Sequence, residues 1–164
     1  MVPSGGIRGA RHKLGGRPAA RPSKPAAPSK KRVLFVCIGN SCRSQMAEGF
    51  ARAYGADVID AHSAGVSPSL IIAPLTRQVL EERNIKIDGH FPKGLEMVAG
   101  EAFDVVVNMS GERVALTAER VIDWPVTDPI GQKPEVYRSV AGTIEGLVMR
   151  LILELRSEPL RSPS

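Results

Sequence analysis

Apolar positions along the chain predict four short β-strands. Four consecutive apolar residues occupy positions 33–36, and polar and apolar residues alternate over positions 57–62. A third run, 103–109, is largely apolar, as expected of a strand that is buried on both faces, and a shorter run covers 121–123. Each of these runs contains valine or isoleucine, which favour strands.

Helical spacing of apolar residues fills the intervals between these runs. It predicts a helix after residue 44, a second helix from Pro74, short helical stretches near 95–100 and 112–116, and a long helix over 135–156. Strands that alternate with helices favour a parallel sheet covered on both faces. We therefore expect an α/β fold, a single three-layer domain with a four-stranded parallel sheet flanked by helices.

The two ends of the chain do not follow this pattern. Residues 1–31 are rich in Pro, Gly, Ala, Ser and basic side chains and have little to bury, which predicts disorder. We expect a disordered basic tail over 1–31, one folded domain over 32–157 and a short C-terminal tail over 158–164.

The formal net charge of +5 comes from the tail and not from the predicted domain. The first 32 residues hold nine of the 22 Lys and Arg residues and no Asp or Glu, so the rest carries 13 basic and 17 acidic residues, a net charge of −4. A basic nucleic-acid groove is therefore disfavoured.

No apolar run reaches membrane-spanning length, no signal-peptide core precedes the domain, and only two cysteines occur, so we expect a cytoplasmic protein without membrane contact.

The first strand runs into a loop that we predict to be an anion site. Cys37 opens this loop and Arg43 closes it, with five residues between them. Gly39 and Asn40 tolerate the positive φ that a tight loop requires. A strand, a loop and a helix in this order direct backbone N–H groups and the positive end of the helix to one point. The residues expected around a bound oxyanion are Ile38, Gly39, Asn40, Ser41, Cys42, Arg43 and Ser44.

Cys37 is the candidate nucleophile of this site. The helix dipole, the loop N–H groups and the Arg43 guanidinium would all favour its thiolate form. Arg43 also presents a fork of donors that fits two oxygens of a tetrahedral anion, and Ser44 can hydrogen-bond the sulfur. A buried structural cysteine and a surface arginine are the alternative interpretation. The surrounding strand, turn and helix favour the catalytic one, in which a thiolate attacks a phosphate-like dianion.

The stretch from Val36 to Glu48, VCIGNSCRSQMAE, resembles the signature of the low-molecular-weight protein tyrosine phosphatase superfamily, which includes the thioredoxin-coupled arsenate reductases. The resemblance extends over about residues 32–156. It implies the phosphotyrosine protein phosphatase I fold and cysteine-based oxyanion chemistry. Ser41 and Gln45 are more similar to the arsenate reductase branch, because phosphatases commonly have an apolar residue and a proline there.

The resemblance also implies two supporting residues outside the loop. Ser63, in the Ser-Ala-Gly triplet after the second strand, would hydrogen-bond Asn40 and hold the loop in its strained shape. His90 is at a position where the family often has a histidine that supports the active loop. Without the resemblance, the triplet is a strand-to-loop turn and His90 is a polar surface residue.

Phosphate transfer to a thiolate needs a proton for the departing oxygen. The Asp-Pro pair at residues 128 and 129 resembles the general-acid loop of the family, so Asp128 is the candidate acid. Asp128 would protonate the leaving group and then activate the water that hydrolyses the cysteinyl-phosphate. An ordinary Asp-Pro turn is the alternative interpretation. Asp123 is the second candidate acid, although we expect it to end the fourth strand.

The chain departs from both branches of the superfamily. Tyrosine phosphatases usually have aromatic residues after the Asp-Pro pair, where this chain has Ile130 and Gly131. Thioredoxin-coupled arsenate reductases need two further cysteines after the third strand, and residues 108–116 contain none, so that relay cannot operate. By resemblance to the phosphatases, Cys42 is a reversible redox switch that pairs with Cys37; otherwise it fills a small buried space.

Three functional hypotheses follow. The main one is a cysteine-dependent hydrolase that acts through a cysteinyl-phosphate on a phosphorylated protein or a small phosphomonoester. The second is an arsenate reductase that uses an external thiol or glutaredoxin. The third is a non-enzymatic anion-sensing module whose basic tail is the functional part, which the joint presence of nucleophile, arginine and acid disfavours. We expect no cofactor and no metal, because this mechanism needs neither.

Overall fold

The structure, a computed structural model, describes residues 30–158. The predicted tails lie almost entirely outside the described residues. The strands are β1 Lys31–Cys37, β2 Ile59–Gly65, β3 Phe103–Asn108 and β4 Ala118–Asp123. The helices are α1 Arg43–Tyr54, α2 Pro74–Glu82 and α3 Pro134–Ser157, with one 3-10 turn at Leu95–Met97.

All four strands are parallel and form one sheet in the order β2-β1-β3-β4. β1 lies inside the sheet, with Val33 opposite Ala61 of β2 and Val105 of β3. The loops that follow the four strands therefore meet at one edge, where parallel sheets commonly bind their ligands. The predicted α/β fold with a four-stranded parallel sheet is confirmed.

Successive residues of β1 face opposite sides of the sheet, and both sides are buried. Phe35 belongs to the larger hydrophobic cluster, which contains Phe50 of α1, Leu80 of α2 and Ile144 of α3. Leu34 belongs to a smaller cluster, which is covered by the 3-10 turn and by the segment after β3. Burial on both faces explains why residues 33–36 are apolar without alternation.

The second strand is longer at its carboxyl end than its apolar pattern predicts. It starts at Ile59 and continues through residues 63–65, which we expected to form a turn. These residues pair in register with β1, Ser63 opposite Phe35 and Gly65 opposite Cys37. Pairing with a central strand thus overrides the weak strand preference of Ser, Ala and Gly.

The short helix predicted near 112–116 is wrong, because residues 113–117 contain neither helix nor strand. The Asn108 side chain instead bonds to the local backbone. Its Nδ2 donates to the Glu112 carbonyl at 2.7 Å, and its Oδ1 accepts from the Ser110 N–H at 2.9 Å. Such bonds compete with the helical pattern, and Gly111 then takes a φ of 77°. The stretch predicted over 95–100 is likewise reduced to the 3-10 turn.

Candidate active site

Residues 38–42, called the anion loop below, connect β1 to α1 in a tight turn. Asn40 has a φ of 51°, in the left-handed region that the sequence predicts for it. The end of β2 approaches this loop so closely that a Cβ on Gly65 would lie 2.6 Å from the Ile38 carbonyl oxygen. Only glycine fits at that point, and its small size lets β2 lie directly against the loop.

Cys37 ends β1 and lines a cavity above the anion loop, with 2% of the residue exposed. Its Sγ lies 2.9 Å from the Ser44 hydroxyl oxygen. That oxygen already accepts a hydrogen bond of 2.7 Å from Asn40 Nδ2, so the hydroxyl hydrogen is free to donate to the sulfur. A donor in this position stabilises negative charge on Cys37, both as nucleophile and as leaving group.

A buried chain of polar side chains holds the anion loop against β2. Asn40 Nδ2 donates to Ser63 Oγ at 2.9 Å, which is the hydrogen bond that the resemblance implies. Ser63 Oγ in turn donates to Glu48 Oε1 at 2.5 Å, and Glu48 pairs with Arg52 at 2.8 Å. Asn40 Oδ1 accepts from the Lys93 backbone N–H at 2.8 Å. Because Asn40, Ser63 and Glu48 are buried and paired, the loop conformation is fixed before any ligand binds.

His90 reaches the anion loop through Gln45 and not directly. Gln45 Nε2 donates to the Asn40 carbonyl at 3.1 Å and to the Phe91 carbonyl at 3.2 Å, which turns its Oε1 toward His90 Nδ1 at 2.9 Å. Burial lowers the pKa of His90, and Glu48 opposes that shift. When the His90 ring is neutral, its Nδ1 must carry the proton, because Gln45 Oε1 can only accept a hydrogen bond.

Arg43 begins α1 and connects it to the loops after β3 and β4. Its Nη1 donates to the Met109 carbonyl at 2.6 Å and to the Val126 carbonyl at 3.1 Å. Its Nη2 lies 3.5 Å from Asp128 Oδ2. Because both Nη1 hydrogens are used for anchoring, the Nε–Nη2 edge is left to meet an oxyanion.

The cavity above the anion loop brings the candidate nucleophile, arginine and acid together. Its volume is about 150 Å³, and Cys37, Arg43 and Asp128 all line it, together with Ser67 and Ser69. The Asp128 side chain is 46% exposed, in contrast to the buried Arg43. Its position allows it to deliver a proton to an oxygen bound in the cavity while it exchanges protons with solvent.

Asp123, the second candidate acid, does not line this cavity. It ends β4, as the sequence predicts, and lines a neighbouring cavity of about 810 Å³ to which Arg43 also contributes. The geometry therefore favours Asp128 over Asp123 as the acid nearest the nucleophile.

Cys42 precedes α1 and is buried in the same cavity wall. Burial raises the pKa of its thiol to about 12, although a hydrogen bond with Thr76 acts in the opposite direction. Both cysteines are free thiols. Cys42 is therefore protonated at neutral pH.

Sequence reasoning missed several residues that shape the site. Gln45 and Glu48 occupy α1 positions that face inward, where a polar residue among Met46 and Ala47 is the only signal available. Ser67 and Ser69 line the cavity from the loop after β2, and nothing in their sequence context indicates this.

These features define a class of protein: an α/β domain in which a buried cysteine at the end of the first strand is followed by a tight loop and the first helix. The family described as low molecular weight phosphotyrosine protein phosphatase matches residues 32–161. The chain belongs to this family.

Relatives within the family include both reductases and phosphatases. The glutaredoxin arsenate reductase of Synechocystis sp. is 40% identical over 130 residues, 76% of this chain and 98% of the relative. A solved arsenate reductase in the phosphate-binding state is 40% identical, with a TM-score of 0.70 over 76% of this chain and 98% of that one. The YwlE arginine phosphatase from Geobacillus stearothermophilus is 27% identical, with a TM-score of 0.71 over 82% of this chain and 98% of that one. The two arsenate reductases, each 40% identical to this chain, favour the second sequence hypothesis over the main one.

Within residues 30–158, no helix is both long and apolar enough to cross a bilayer. No cluster of three or more His, Cys, Asp or Glu side chains in that part of the chain is arranged to hold a metal ion.

Proposed function

We propose that this protein is an arsenate reductase that takes its electrons from an external thiol and is regenerated by a glutaredoxin. The cysteine positions carry the proposal. The whole sequence has two cysteines, Cys37 and Cys42, and both lie at the anion loop. The nucleophile is in place, but the loop after β3 offers no thiol to complete a reduction. The similarity to a glutaredoxin arsenate reductase over 98% of that relative supports the same function.

In the first step, the Cys37 thiolate attacks the arsenic of an arsenate held by the anion loop and Arg43. A sulfur–arsenic bond forms, and one arsenate oxygen leaves as water after it receives a proton from Asp128. The Ser44 hydroxyl, 2.9 Å from the sulfur, stabilises the thiolate before this attack.

In the second step, an external thiolate attacks the Cys37 sulfur. The sulfur–arsenic bond breaks, its electron pair goes to arsenic, and arsenite leaves. Arsenic is reduced from As(V) to As(III), while two thiols are oxidised to a mixed disulfide between Cys37 and the external thiol. A glutaredoxin thiolate then attacks the outer sulfur of this disulfide and releases Cys37 as a thiolate.

Cys42 is a poor substitute for the external thiol. Burial raises the pKa of the Cys42 thiol to about 12, so Cys42 is protonated and a weak nucleophile at pH 7. An internal Cys37–Cys42 disulfide would consequently form slowly. The role of Cys42 as a protective redox switch under peroxide stays a prediction.

Arsenite formation with different reductants tests this function. We expect turnover with glutathione and glutaredoxin, no stimulation by thioredoxin alone, complete loss in Cys37→Ser and retention of turnover in Cys42→Ser. Turnover that depends on thioredoxin and on Cys42 would contradict the proposal, as would the absence of arsenite with every thiol.

A second candidate function is hydrolysis of a phosphomonoester. It is favoured by Asp128, which lines the cavity of Cys37 and can serve the departing alkoxide or phenoxide. The test is hydrolysis of an aryl phosphate by the reduced protein and by Asp128→Ala. A loss of about 10²-fold or more in the variant would support hydrolysis with Asp128 as acid. No hydrolysis by the intact protein would exclude aryl phosphates as substrates.

A further inference from the structure

Exposed aliphatic residues lie on two segments that line the Cys37 cavity. Leu70, 99% exposed, and Ile71, 65% exposed, are the two residues after Ser69, which lines the cavity. Ile130, 47% exposed, lines the same cavity from the loop that carries Asp128. We call Leu70, Ile71 and Ile130 the mouth patch.

The mouth patch is held in place by hydrogen bonds to the site itself. The segment that carries Leu70 and Ile71 is bonded to the anion loop at three points. These bonds run from the backbone N–H of Ser67 to the Ile38 carbonyl (2.8 Å), from that of Ser69 to the Gly39 carbonyl (2.9 Å) and from that of Ala73 to the Ser41 carbonyl (3.1 Å). Across the cavity, the Ile130 N–H donates to Asp128 Oδ1 at 3.1 Å.

In this structure the Leu70 side chain is fully exposed, so it gains from burial when another molecule covers it. Ile130 lines the cavity that holds Cys37, and Leu70 and Ile71 follow Ser69 of the same cavity wall, so a macromolecule that reacts at Cys37 approaches beside the mouth patch.

We propose that the mouth patch is the docking surface for a small protein with an exposed cysteine thiol, which reduces the mixed disulfide at Cys37. This proposal rests on the proposed function. In the disulfide, the sulfur of the small thiol lies about 2 Å from the Cys37 sulfur, on the side of the opening. The partner therefore does not need to reach the buried Cys37. Its thiolate attacks the outer sulfur, a disulfide forms between the partner and the small thiol, and Cys37 leaves as a thiolate.

The size of the cavity makes the partner's contact with the patch unavoidable. About 150 Å³ admits an oxyanion or part of a small thiol but not a protein loop. A protein thiol must therefore stop at the opening, where aliphatic side chains supply the contact. A small reductant such as dithiothreitol passes the same opening without needing the patch.

Reduction of a preformed mixed disulfide tests the proposal without arsenate. Cys37 is loaded with glutathione from oxidised glutathione, and mass spectrometry establishes one glutathione per chain. The rate constants for its release by a purified glutaredoxin and by dithiothreitol are then compared in the wild type and in the Leu70→Ser/Ile71→Ser variant. We expect kcat/KM for glutaredoxin to fall about tenfold or more, mostly through KM, relative to dithiothreitol. The conservative Leu70→Met/Ile71→Met variant should keep most of the wild-type rate with glutaredoxin.

Leu153→Ser is the matched control, because Leu153 is an aliphatic residue of α3 that is 58% exposed and does not line the cavity. It should leave both rates unchanged. Equal losses with glutaredoxin and dithiothreitol in the patch variant would overturn the proposal, since they would reflect a damaged site. An unchanged glutaredoxin rate would overturn it as well.

Sedimentation of the same variants separates a second copy of this chain from the proposed partner. A wild-type dimer that becomes monomeric in the patch variant would assign the patch to self-association and overturn the proposal. Failure of the wild type to form arsenite would count against the proposed function alone, because the loaded disulfide is made without arsenate.

Discussion

The structure differs on the two sides of Arg43, called here the rigid side, toward β2, and the open side, toward β4. Toward β2, the anion loop is fixed by Asn40, Ser63 and Glu48, all buried and joined by hydrogen bonds. Toward β4, Asp128 is half exposed, and residues 113–117 have neither helix nor strand. In residues 30–158, no buried side-chain nitrogen or oxygen lacks a hydrogen-bond partner, so the first side is complete as well as rigid.

This difference matches the two tasks of the site. Both proposed reactions begin with a tetrahedral oxyanion at Cys37, and the rigid side serves that common step by holding its donors in advance. The second reactant, a thiol or an attacking water, approaches from the open side.

Arg43 belongs to both sides, so its replacement should have the largest effect. Arg43→Lys keeps the charge but loses the fork, which bonds to the carbonyls of Met109 and Val126 while its other edge faces the oxyanion. We expect kcat/KM for arsenate to fall about 10²- to 10³-fold, or about 2.7–4 kcal/mol. Steady-state kinetics measures this. A loss below about fivefold would mean that the loop alone binds the oxyanion.

Asn40→Ala should show how much stability the buried hydrogen-bond network contributes, apart from the cost of backbone strain. Asn84 is the control, because it also has a positive φ, 63° against 51°, but is exposed. Both alanine variants suffer the strain of a left-handed residue, and only Asn40→Ala also leaves buried groups without partners. Urea unfolding should show a free energy of unfolding about 2 kcal/mol lower for Asn40→Ala than for Asn84→Ala. Equal values would show that the network adds no stability.

The rigid side should also make stability depend on pH. Burial lowers the pKa of His90 in the folded protein, whereas the unfolded chain binds a proton near pH 6.5. The contribution of neutral His90 to the free energy of unfolding is therefore complete above about pH 6.5. It is lost as the pH falls toward the folded-state pKa, by at most about 1.4 kcal/mol per pH unit. Urea unfolding between pH 7.5 and 5.5 should show a shallower decline for His90→Gln. Identical slopes would assign the pH dependence to other groups.

On the open side, function and stability should be separable. Asp128→Asn removes the candidate proton donor. It also removes the ion pair with Arg43 at 3.5 Å, which is partly exposed and therefore contributes little to stability. The free energy of unfolding should change by no more than about 0.5 kcal/mol, while any phosphomonoester hydrolysis falls strongly. Thermal and urea unfolding measure the first and aryl phosphate turnover the second. A large loss of stability would place Asp128 on the rigid side.

The two sides also differ in how far the sequence predicts them. The apolar run before Cys37, the Gly-Asn turn and the helical spacing after Ser44 are local signals, and the anion loop follows from them. The hydrogen bond between Asn40 and Ser63 came from resemblance alone, because 23 positions separate the two residues. Nothing local shows that Gln45 and Glu48 face inward, since polar residues on a helix usually face water.

The open side was predicted less well for a related reason. The helix expected near 112–116 does not form, because the Asn108 side chain makes hydrogen bonds with the local backbone groups. The contacts of Arg43 with Met109 and Val126 span 66 and 83 positions, and backbone carbonyls carry no residue-type signal. The arginine was therefore predictable from the motif, but its two anchors were not.

The lack of regular structure over residues 113–117 has a consequence for protein engineering. Val114 and Leu116 pack on the smaller hydrophobic cluster, but Arg113, Ala115 and Thr117 are exposed and can change with little effect on the sheet beneath them. Introducing cysteines there would test whether an enzyme dependent on a separate reductant can be converted into one that carries its own. Such a design would change which thiol supplies the electrons and leave the oxyanion site at Cys37 unchanged.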